Sequence, residues 1–118
     1  MDEEKGQGRV FIPQVPTRYD GILGRRVPTL NLSEARVHGQ AVIMTDPEAR
    51  METEDLPDAL ESIKTAMAKF RPLDCILCVG DVVLLAAAIT YAIDTHGSVR
   101  LLRWLKREKT YEMTEVTL

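Results

Sequence analysis

The run "CILCVGDVVLLAAAITYAI", residues 75–93, is the most apolar part of the chain, and whatever the protein folds into has to place it. A helix that crosses a bilayer takes about 20 apolar residues, so length alone leaves a membrane span open. Asp81 and Gly80 argue against it. A carboxylate near the bilayer centre costs about 2.5–3.5 kcal/mol, and glycine weakens a helix interior. Read instead as strand, turn and helix, the run accounts for all its polar and glycine residues. "DCILCV" is short and continuously apolar, as strands of a parallel sheet covered on both faces are. Asp81 is a sound N-cap and Gly97 a sound C′ residue, which predicts a helix over residues 82–96.

Cys75 and Cys78 form a C-x-x-C within this run. A redox centre of that type needs its first sulfur at a helix N-terminus, where the dipole lowers the thiol pKa. Here the predicted helix starts beyond both cysteines. On a strand, Cys75 and Cys78 point to opposite faces and cannot chelate together. A structural zinc site wants four ligands, and the only histidines, His38 and His96, stand at no finger spacing. Two buried, inert thiols are the reading adopted, with no metal and no cofactor.

The rest of the chain extends the alternation. Residues 1–9 are polar and glycine-containing, and a disordered lead-in is expected. Residues 10–32 hold Pro13, Pro16 and Pro28 together with Gly21 and Gly24, which leaves no room for a long helix. The segment reads as an extended N-terminal arm over residues 1–28. It carries a short edge strand near residues 10–12, a turn near 19–24 and another short strand near 29–32. Ser33 and Gly39 bracket one helical turn, and residues 40–45 read as a strand. The acidic loop after it reads as solvated surface. Leu56, Leu60, Ile63, Met67 and Phe70 recur at spacings of 4, 3, 4 and 3, one face of an amphipathic helix that Asp55 can cap. "SVRLLRWL" and "TYEMTEV" predict a β-hairpin around "KREK". The expected fold class is therefore α/β. A single domain over residues 29–118 has three parallel strands, two main helices and a C-terminal antiparallel hairpin.

Composition narrows the function classes. A chain of 118 residues with 28% charged residues suits one ordinary globular domain. A net charge of −3 creates no global field for nucleic acid. The acidic start is unlike a secretory signal, and two cysteines are too few for a disulfide framework. A cytoplasmic setting with no membrane partner follows as the expectation.

No nucleophile–base set emerges. Ser33, Ser62 and Ser98 lie in no elbow motif, and His38 and His96 sit near helix ends, where a histidine commonly just complements the dipole. Gly80 and Asp81 lie at the carboxyl end of a central strand, where open α/β sheets bind ligands. Asp81 there is either an acceptor for a ribose or amine, or a helix cap, and capping is favoured. No phosphate-cradling glycine loop is present. Arg100, Arg103, Lys106 and Arg107 cluster around Trp104, a pattern able to hold a nucleic-acid backbone and stack on a base. The competing account is a solvated hairpin whose charges blunt an edge strand. The helix over residues 82–96 is apolar on most faces, which points to a covering partner or a homodimer.

Two stretches together, "PTLNLSEARVHGQAVIM" and "CVGDVVLLAAAITYAIDTHGSVRLLRWLKREKTYEMTEV", resemble a family of small proteins encoded by tailed bacteriophages. The family pattern has "D-L-S-x-A-x-x-x-G" before a strand, then "L-x-x-V-G-D-P", an alanine-rich helix, a glycine turn and "V-x-L-L-x-W-D". This chain departs from it at Asn31, Val82 and Leu105, where the pattern carries Asp, Pro and Asp. The resemblance implies a virus-encoded protein acting in an infected bacterial cell. It implies no activity and transfers no catalytic residue. The expected function is accordingly non-enzymatic: a phage accessory protein that binds a host or viral protein, or itself as a homodimer. A nucleic-acid module using Arg100, Arg103, Trp104, Lys106 and Arg107, and a small-ligand or nucleotide domain at Gly80 and Asp81, are the alternatives.

Overall fold

The computed structural model describes residues 8–46 and 55–118. In chain order the elements are β1 (Arg9–Ile12), β2 (Thr17–Asp20), β3 (Arg25–Pro28), α1 (Leu32–Arg36), β4 (Gln40–Ile43), α2 (Leu56–Met67), β5 (Cys75–Leu77), α3 (Val82–His96), β6 (Ser98–Leu105) and β7 (Thr110–Thr117). Five strands form one sheet in the order β4-β1-β5-β6-β7, and β2 and β3 form a separate antiparallel pair. The pairs β1–β4, β1–β5 and β5–β6 are parallel, and β6–β7 is antiparallel. The fold is mixed α/β, as the alternation predicts. Counted along the sheet, the order is that of a doubly wound domain, with the chain turning back across β1.

The parallel strands number four, not three, and the extra one is β1. The sequence places residues 10–12 on a sheet edge because Pro13 follows. In the structure Pro13 lies just past the last paired residue, so its missing N–H costs the ladder nothing. Val10, Phe11 and Ile12 are wholly buried between β4 and β5. The extended segment thus begins, within the described residues, as an interior strand. The polar lead-in over residues 1–7 and most of the acidic loop before α2 lie outside those residues.

Side-chain alternation along the strands builds two cores. On one face Phe11, Ile76 and Val99 meet Ala59, Ile63 and Met67 of α2 and Leu84, Ala88 and Ala92 of α3. On the other, Val10, Ile12, Cys75, Leu77 and Leu102 meet Val15 and Ala35 of α1. Each fully buried leucine, isoleucine or phenylalanine stabilises the fold by roughly 1.5–3 kcal/mol. Phe70 packs edge-on to Phe11, with ring centroids 5.0 Å apart. His96 Nε2 lies 3.0 Å from the Phe70 carbonyl oxygen. A carbonyl only accepts, so Nε2 carries the proton and ties the end of α3 to the end of α2.

Local chemistry sets most element ends. Asp81 Oδ1 accepts from Val83 N at 2.8 Å and Leu84 N at 3.4 Å, and Gly97 closes α3 in the left-handed region at φ 81°. Three expectations need correcting. Asn31, not Ser33, caps α1, its side chain accepting from Glu34 N at 3.0 Å; asparagine and serine are equally good caps, so composition alone does not choose. Asp55 precedes α2 but makes no side-chain capping bond, being already in helical geometry. The strand expected over residues 29–32 is β3, displaced toward the N-terminus because pairing of Thr17 with Pro28 fixes its end.

Candidate functional site

The carboxyl ends of β1 and β5 flank the switch point of the sheet, the crevice where doubly wound domains hold ligands. Here the chain reaches across it with its own side chain. Gln14, two residues past β1, presents Oε1 to Asp81 N at 2.8 Å. Gly80 adopts φ +90°, and a Cβ there would stand 2.8 Å from the Gln14 Cβ and 2.9 Å from its carbonyl oxygen. Glycine is needed both for the backbone angle and for this close approach. Asp81 spends its carboxylate on the start of α3, in agreement with its reading as a cap.

The two cysteines are both free. Cys75 is buried in β5 beside Val10 and Leu77. Burial first, then the neighbouring Asp74 charge, pushes its thiol up to about 12. Burial also raises Cys78, against a smaller opposing pull from Arg103. Neither has the low pKa of a redox thiol. Among the described residues, no group of three or more His, Cys, Asp or Glu is placed to hold a metal ion. Among them, too, no helix is long and apolar enough to cross a membrane.

The basic cluster on the C-terminal hairpin is divided by the alternation of β6. Arg103 pairs with Glu112 at 2.7 Å, and Arg100 stands opposite Glu115. Trp104, on the Arg100 side, packs edge-on against Tyr111 at a centroid distance of 4.9 Å. Lys106 and Arg107 lie in the exposed turn. The five residues are near one another in the chain, but the structure does not gather them on one face, and β7 supplies carboxylates opposite the two strand arginines.

What sequence reasoning missed is an apolar rim. Among the described residues eleven large apolar side chains are exposed, and seven lie at the carboxyl edge of the sheet. Tyr19, Ile22 and Leu23 belong to the β2–β3 hairpin beyond β1, Ile43 ends β4, Val82 and Val83 start α3 beyond β5, and Trp104 is near the end of β6. Ile22 is 96% exposed and Val82 74%. The outer side of α3 is therefore open at its first turn, although α2 covers one flank and the sheet its base.

The hairpin is built to project. Thr29 N donates to Pro16 O at 2.9 Å, closing its base over the buried Val15. Asp20 Oδ1 accepts from Ile22 N and Leu23 N at 2.9 and 3.1 Å, which shapes the loop and turns both apolar side chains outward. Arg26 donates to the Thr17 hydroxyl at 2.7 Å on one face, and Arg18 and Arg25 share the other. Among the described elements, neither β2 nor β3 packs substantially on anything but the other. The sequence signal was present in "YDGILG", where two large aliphatic residues occupy a turn that composition would fill with polar ones.

A second feature is a groove along α2 of about 570 Å³. Phe11, Val42, Met44 and Ala66 give it an apolar floor; Asp58 and Glu61 line the end near the start of α2, and Lys69 and Arg9 the other.

The family model described as Phage Pam3 gp32-like protein matches residues 8–118, nearly the whole chain. The chain belongs to this phage protein family. Comparison with curated proteins and with solved structures returned no match. The match begins at the residue before β1, so the interior strand and the projecting hairpin both fall within it.

Proposed function

We propose that this phage protein is a non-enzymatic accessory factor that works in the cytoplasm of the infected cell by docking a protein, viral, host or a second copy, through the carboxyl edge of its sheet. The apolar rim carries the reading. Scattered exposed hydrophobic residues are ordinary, but seven at one edge of a sheet favour a protein-binding surface. An isolated two-stranded hairpin is marginally stable at best, so a projecting one with an apolar tip gains most when a partner covers it. The alternatives have less support: Gln14 bonds across the crevice to Asp81 N, and Glu112 and Glu115 stand opposite the arginines a nucleic acid would need.

The test compares the wild-type chain with the triple variant Ile22→Ser, Leu23→Ser, Val82→Ser, each affinity-purified from infected cells after circular dichroism confirms a folded variant. A stoichiometric partner, or self-association, retained by the wild type and lost from the variant is the expected result. The same proteins at the same yield with both chains would refute it.

A further inference from the structure

We infer that the occupant of the α2 groove is the β2–β3 hairpin of a second copy, so that two chains exchange hairpins across their carboxyl edges. The inference rests on the interaction reading above and specifies its partner. Three observations on different elements meet here.

The first is charge. Asp58 and Glu61 form the acidic end of the groove. On the hairpin, Arg18 and Arg25 share a face with Asp20, which stands opposite Arg25 and accepts from Ile22 N and Leu23 N; among the described residues neither arginine makes an ion pair. The second is apolar match: Ile22 and Leu23 form an exposed tip, and of the apolar residues lining the groove Val42 and Ala66 are partly exposed, above the buried Phe11 and Met44. The tip does not enter its own groove, since Ile22 remains 96% exposed.

The third is placement. The start of α2 follows the carboxyl end of β4, so the acidic end of the groove opens toward the edge from which the hairpin projects. Donor and acceptor surfaces thus share one edge. Two such edges facing each other about a two-fold axis satisfy both contacts at once and close the assembly at two chains. Ile43 and Val82 then come under cover as well, consistent with obligate dimer surfaces being more apolar than the rest of a protein surface.

A charge swap tests this by analytical ultracentrifugation. Variant one carries Arg18→Glu and Arg25→Glu; variant two carries Asp58→Lys and Glu61→Lys; thermal melts confirm that both fold. The wild type is expected to sediment as a dimer in the micromolar range. Each variant alone places like charges in both contacts and should associate at least about 10-fold more weakly. An equimolar mixture restores opposite charges in both contacts and should recover a 1:1 heterodimer. A wild-type monomer at roughly 100 μM, variants that dimerise as well as the wild type, or a mixture that does not recover would each overturn the exchange. The co-purification comparison is read separately. A rim-dependent partner found there, with a monomer here, leaves the interaction reading intact and removes only the second copy as its object.

Discussion

Asp74 is a buried carboxylate used entirely for structure. It accepts from Arg9 N at 2.7 Å and Arg71 N at 2.8 Å, and it pairs with the Arg9 guanidinium at 3.0 Å. Arg9 in turn donates to the Lys69 carbonyl and lies 5.0 Å over the Phe11 ring. One side chain thus joins the start of β1 to the loop before β5. Asp74→Ala takes the acceptor from two part-buried backbone donors and the counter-charge from the Arg9 guanidinium, and should cost about 3 kcal/mol, read from the urea midpoint at constant slope. The adjacent Cys75 gives a pH signature. Its folded pKa, about 12, lies above the ordinary thiol value of 9.0. The fold therefore favours the neutral thiol, and the associated stability is full below pH 9 and lost as pH rises toward 12. Denaturation midpoints should fall over that window, and Cys75→Ala should flatten the fall while lowering stability at pH 7. In the native protein Cys75 should also resist alkylation at pH 8 and react on unfolding.

At the scale of elements, local signals did well and distant ones did not. The bounds of α3 follow from Asp81 and Gly97, both legible because a cap acts within one turn. The hairpin β6–β7 is likewise local. Gln14 carries no such signal: its partner Asp81 is 67 residues away, and nothing near Gln14 in the chain announces the contact. The strand β1 was legible near residues 10–12, but its interior place was not, because its partners lie far along the chain. The apolar rim was half legible, since the openness of α3 was anticipated from its composition, but only the fold brings Val82 to the same edge as Ile22. Gly80 is the element-scale hinge of this arrangement. Gly80→Ala should cost about 1–3 kcal/mol, combining an unfavourable backbone angle with the clash against Gln14. Adding Gln14→Ala should recover almost none of it, because alanine keeps both the Cβ and the carbonyl oxygen that the new methyl meets and gives up the bond to Asp81 N. Thermal melts of the single and double variants check this.

For the molecule as a whole, the five-stranded sheet and the hairpin are separable by design. Pro16 and Thr29 are already hydrogen-bonded across the hairpin base. Replacing residues 17–28 by Asn-Gly should therefore change stability by less than about 1 kcal/mol while abolishing self-association. A large loss of stability would mean that the hairpin supports the domain. The central place of β1 has a further consequence, for how the chain is made. Val10, Phe11 and Ile12 leave the ribosome before every strand they pair with, their partners being Ala41, Val42 and Ile43 on one side and Cys75 and Ile76 on the other. Closing contacts over such chain lengths is slow, because loop entropy must be overcome before any pairing rewards it. The middle strand of the sheet is thus synthesised before both of its neighbours. Both edges of this apolar strand stay unoccupied until residue 43 is made and one of them until residue 76 is, so the protein's yield in the cell depends on how quickly residue 76 emerges.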